Sequence, residues 1–106
     1  MKKNYNKLIR DRIPEIILTS GNTCSTRTLS EEEYESYLKM KLQEEVLEYF
    51  EEPSIEELAD ILEVVYALVE LHDSSVKYLE KTRKEKRISR GGFTKRIFLE
   101  SVNIND

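Results

Sequence analysis

Gln43-Glu-Glu-Val-Leu-Glu-Tyr-Phe-Glu-Glu-Pro-Ser-Ile-Glu-Glu-Leu-Ala-Asp60 contains one helix breaker, Pro53, between two runs that otherwise suit a helix. Proline removes a backbone donor and disfavours helical geometry in the residue before it. The first helix should therefore stop close to Phe50. Ser54-Ile-Glu-Glu57 has the pattern of a capping box, which starts a second helix at once. Two helices joined by so short a link fold back on each other as an antiparallel hairpin.

Working outward, Ser30 followed by Glu31, Glu32 and Glu33 is another capping box, so the first helix is expected over about 31–50. The second continues to about Leu71. Leu58, Ile61, Leu62, Val65 and Val69 line one face of it, and Val64, Ala67, Leu68 and Leu71 widen that face, which predicts a central, largely buried helix. Asp73, Ser74 and Ser75 can cap a third helix reaching about Ile88, ended by Gly91-Gly92. Before the hairpin, residues 5–18 read as an extended lead-in and a short helix with Pro14 in its first turn, followed over 19–28 by a polar, β-branched loop with room for a short strand. Phe93 to Val102 alternates enough to suggest an extended tail or short strand. The expected fold is mainly all-α, a helical bundle built on the antiparallel hairpin, with short extended segments at the two ends.

The hairpin has an odd feature. Leu38, Leu42, Glu45 and Tyr49 fall on one stripe at 100° per residue, so Glu45 sits within an apolar face, with Glu48 at its edge. An acid there is costly unless it is paired or binds a metal. Positions equidistant from the turn share a level, which sets Glu48 opposite Glu57 and Glu45 opposite Asp60. Four converging carboxylates repel one another, and a cation removes that penalty. All-oxygen ligation without His or Cys points to Mg²⁺, with Mn²⁺ as a substitute, rather than zinc. The plainer reading of Glu57 is as the N3 partner of Ser54 in the capping box. Glu44, Glu51, Glu52, Glu56 and Glu63 read as solvated acids or as neighbours of the ligands.

The 106 residues suffice for one domain with a modest core, and at 39% hydrophobic and 36% charged residues self-association is expected to bury more. The lone Cys24 cannot form an internal disulfide, the N-terminus lacks an apolar signal core, and no run is long enough to span a membrane. A soluble, cytoplasmic protein with no membrane partner is the expectation. The net charge of −4 conceals segregation: residues 31–63 carry thirteen acids against two lysines, while residues 81–96 carry eight Lys/Arg against Glu85. The acidic first helix argues against a broad nucleic-acid footprint.

Gln43-Glu-Glu-Val-Leu-Glu48 with Glu57-Leu-Ala-Asp60 resembles the EExxE…ExxD signature of the all-α NTP pyrophosphohydrolases, the MazG-like superfamily. Tyr5-Asn-Lys-Leu-Ile-Arg-Asp-Arg-Ile-Pro14, Glu57 to Leu68 and Arg90 to Leu99 resemble its compact branch, described as phosphoribosyl-ATP pyrophosphohydrolase-like. The resemblance spans nearly the whole chain and implies a single pyrophosphohydrolase domain over 1–106. It also implies Glu45, Glu48, Glu57 and Asp60 as metal ligands, an oligomer with sites near subunit interfaces, and a nucleotide substrate cleaved between its α- and β-phosphates. House-cleaning of non-canonical nucleotides is one role within that family.

Such chemistry needs a group to orient or deprotonate water, for which Glu44 and Glu45 are the candidates. It also needs cations for the polyphosphate. Lys84, Arg87 and Arg90 recur every three residues, Lys95 and Arg96 follow the Gly91-Gly92 turn, and Lys7 and Arg10 are further candidates. A lysine or arginine at a helix C-terminus also simply complements the dipole. The rival reading is a non-catalytic helical protein-interaction module, in which the charges serve docking or solubility.

Overall fold

A computed structural model describes residues 1–105. Four helices form where breakers and caps permit: α1 (Ile13–Thr19), α2 (Glu31–Glu51), α3 (Ile55–Leu71) and α4 (Val76–Arg90). Each of the three long helices opens on a serine whose hydroxyl accepts the N–H three residues on: Ser30 from Glu33, Ser54 from Glu57 and Ser75 from Tyr78. Pro14 stands in the first turn of α1. The class is all-α, with no β-strand among the described residues. The tail from Phe93 makes a turn closed by Arg96 N–H on Phe93 C=O and then continues without a strand partner.

Helix ends are closed as the sequence allows. Gly21, at φ 91°, ends α1, with its own N–H on Leu18 C=O and that of Asn22 on Ile17 C=O. Asp73 takes the same left-handed position after α3, at φ 50°, with Ser74 N–H on Val69 C=O. Asp73 thus ends α3, and Ser75 alone caps α4.

The chain groups into two compact units, residues 1–74 and 75–106. In the first unit α2 packs along α3, and the three residues between them force the two to run antiparallel. Leu38 of α2 and Val64 of α3 are buried at their contact, and Leu42, Tyr49, Val65 and Val69 are half-buried. The expectation of a largely buried α3 is corrected here. Leu58 and Leu62 remain 43% and 45% exposed, because the apolar face is wider than the one helix packed against it in this unit can cover. Leu47, Phe50 and Ile55, close to the turn, are exposed as well. In the second unit, α4 carries cations over most of its length and ends at Gly91, whose N–H bonds Arg87 C=O at 2.8 Å.

No described helix is long and apolar enough to cross a membrane.

Candidate metal centre

The hairpin brings three carboxylates together. One oxygen each from Glu45, Glu57 and Asp60 lies within 4.8 Å of the other two. Glu45 projects from α2 into the interface and is only 6% exposed, whereas Glu57 and Asp60, one turn apart on α3, are half-buried. Helical spacing explains the grouping: residues three apart on α3 present side chains in the same direction, toward the level of Glu45.

Two oxygens of this cluster, Glu45 Oε2 and Glu57 Oε2, are buried without a hydrogen-bond partner. Buried polar atoms are normally satisfied, so a carboxylate oxygen left alone in the interface needs an explanation. The capping role does not supply one for Glu57. Ser54 Oγ accepts the Glu57 N–H at 3.2 Å, but the Glu57 carboxylate does not return to the Ser54 backbone, in contrast to Glu33 and Ser30. Its side chain goes to Glu45 and Asp60 instead.

The protonation equilibria carry the same signature. Burial raises the Glu45 pKa, and Glu48 adds to that rise, against a lowering from Lys41. Burial likewise raises Glu57, with Asp60, Glu45 and Glu52 acting in the same direction. Glu48 therefore lies close enough to influence both acids, although it is not one of the three whose oxygens converge. Raised carboxyls in one place are what crowded negative charge produces, and a divalent cation is the species that relieves it. An all-oxygen donor set with partner-free buried oxygens fits a hard divalent ion such as Mg²⁺.

Cations surround the cluster. Lys41, one turn before Glu45, approaches Glu45 Oε1 at 3.3 Å and Glu44 Oε2 at 3.5 Å. Lys7 donates to Glu44 Oε1 at 3.0 Å, and Arg10 donates to Asp60 Oδ1 at 2.7 Å while its other nitrogen lies 3.9 Å from Glu63. Burial pushes the Glu44 pKa up, but the bond from Lys7 and the charge of Lys41 outweigh it, and Glu44 is held below its ordinary value. Lys7 is correspondingly raised, chiefly by its bond to Glu44. Lys41 was not among the residues singled out from the sequence, yet its i,i+4 spacing to Glu45 is a legible signal.

Lys7 and Arg10, expected as phosphate contacts, are thus engaged with acids of the hairpin. Lys84, Arg87, Arg90, Lys95 and Arg96 lie in the second unit, all exposed, and none pairs with a carboxylate among the described residues. A shallow depression on α1, lined by Arg12, Glu15, Ile16, Thr19 and Ser20, involves none of the converging carboxylates.

No protein-family model matches the chain, and no solved structure matches it. A stretch of 42 residues is 57% identical to an uncharacterized protein of Mycolicibacterium smegmatis. The stretch covers 40% of this chain and 43% of that protein, so the match spans less than half of the relative's length. What stands is an all-α chain whose hairpin carries an acidic triad able to coordinate a divalent metal.

Proposed function

We propose that the protein is a Mg²⁺-dependent nucleotide pyrophosphohydrolase of the MazG-like, all-α type, in which residues 1–106 act as one domain. Its substrate would be a (d)NTP or related nucleotide, cleaved to the monophosphate and pyrophosphate. The observation that carries this reading is the pair of buried, partner-free oxygens of Glu45 and Glu57 beside Asp60. The EExxE…ExxD resemblance joins that metal-ready site to a reaction class.

Glu45, Glu57 and Asp60 would hold the ion, with Glu48 beside them as the fourth ligand. A divalent ion there neutralises phosphate charge and makes water more acidic. Glu44 and Glu45 are the chain's groups for orienting the attacking water. Glu44 stays ionised through Lys7 and Lys41, which suits it to orient water better than to take a proton at neutral pH. Lys84, Arg87, Arg90, Lys95 and Arg96 are proposed as contacts to the polyphosphate, because they are exposed and without acidic partners among the described residues.

The exposed apolar side chains of α3, Ile55, Leu58 and Leu62, support a homo-oligomer, dimer or higher. The same side chains are the observation that favours the second reading, a non-catalytic interaction module. Pyrophosphate release from a nucleotide panel, with and without Mg²⁺ or Mn²⁺, separates the two: metal-dependent turnover supports the enzyme, and its absence favours the module. A cytoplasmic location accords with either reading.

A further inference from the structure

Arg10 is bonded to a carboxylate, that of Asp60, on which a divalent ion would also draw. Its Nη2 lies 2.7 Å from Asp60 Oδ1, and Nη1 lies 3.9 Å from Glu63, one helical turn further along α3. The contact spans fifty residues of sequence and ties the N-terminal segment to α3. It is also only partly shielded: the Arg10 side chain is 53% exposed and that of Asp60 39%. An ion pair so exposed is weak and opens at little cost. Its backbone root is fixed, because Arg10 C=O accepts the Ile13 N–H at the start of α1. The side chain can therefore swing while the segment stays in place.

Resting on the metal reading above, we infer that Arg10 is a counterion displaced by the metal and handed to the substrate. A guanidinium and a divalent cation cannot share Asp60 without mutual repulsion, so the ion that takes Asp60 expels Arg10. The freed guanidinium then stands beside the metal site with five donors in a fork that fits phosphate oxygens. Metal binding thereby prepares a phosphate contact that is otherwise engaged. Lys7 differs, since its partner Glu44 is not one of the three converging acids and the pair can persist with an ion bound. Arg10 is on this account a substrate contact whose availability depends on the metal.

The test uses the full chain and two probes, Mn²⁺ followed by paramagnetic resonance and inorganic triphosphate followed by calorimetry with Mn²⁺ present. Arg10→Gln should bind Mn²⁺ roughly three- to tenfold more tightly than the unaltered protein, since a competing cation is gone. The same variant should bind triphosphate about tenfold more weakly, since a charge-assisted contact is lost. A change that merely loosened the fold would weaken both. Mn²⁺ binding with an affinity unchanged or lowered in Arg10→Gln would overturn the inference while leaving the metal site standing. Failure of both proteins to bind Mn²⁺ would overturn the metal site and the inference together.

Discussion

Lys41 holds one oxygen of Glu45 at 3.3 Å across a single turn of α2, and the other oxygen of that carboxylate stays buried with no hydrogen-bond partner. The pair is thus half-compensated. A buried acid with one satisfied and one orphan oxygen costs folding energy that an ion seated among Glu45, Glu57 and Asp60 would offset.

The first expectation concerns stability without metal. Glu45→Gln keeps the shape of the side chain and removes the buried charge. In EDTA it should melt a few degrees higher than the unaltered protein, corresponding to about 1 kcal/mol. Thermal unfolding followed by circular dichroism checks this, and a lower melting temperature would mean that the Lys41 pair outweighs the buried charge.

Metal should reverse that ranking. At a concentration one hundred times its dissociation constant, an ion bound only to the folded state adds about 2.7 kcal/mol. Mg²⁺ or Mn²⁺ should therefore raise the melting temperature of the unaltered protein by several degrees and leave Glu45→Gln and Asp60→Asn almost unmoved. An equal rise in all three would place the ion elsewhere.

Acid stability should depend on the start of α2. Two groups lower the Glu33 pKa to about 2: the Arg27 guanidinium, bonded to it at 3.0 and 3.2 Å, and the Ser30 N–H. The folded value lies below the ordinary 4.5, so this contribution is complete above pH 4.5 and is lost as the pH falls through about 2. Glu33→Gln should consequently lose less stability than the unaltered protein between pH 4.5 and 2, as read from urea midpoints. Parallel acid limbs in the two proteins would contradict the assignment.

Much of this was legible in the residues. Ser30, Ser54 and Ser75 announce the three long helices, and Pro53 announces the turn between α2 and α3. Glu45 betrays itself as an acid on an apolar stripe. The fate of the Glu57 side chain was not legible, because a capping box and a metal ligand require the same residue at the same position, and only the direction of the carboxylate distinguishes them. The N-terminal cations were identified by charge, but no local pattern reports that Lys7 and Arg10 reach Glu44 and Asp60, contacts 37 and 50 residues away. The burial of α3 was overestimated, because hydrophobic periodicity reports which face seeks cover and not what covers it.

That uncovered face gives the fourth expectation. The protein should sediment above its 12.5 kDa chain mass, and Leu58→Glu with Leu62→Glu should return it to that mass with its helices retained. Sedimentation at the chain mass before any substitution would remove the argument for self-association.

Release of pyrophosphate from a panel of (d)NTPs, non-canonical nucleotides and phosphoribosyl-ATP tests the proposed activity most directly. With Mg²⁺ or Mn²⁺ present, at least one nucleotide should be turned over to monophosphate and pyrophosphate, and EDTA, Glu45→Gln or Asp60→Asn should each abolish the reaction. No turnover of any substrate with either metal, or turnover that persists in both variants, would contradict it.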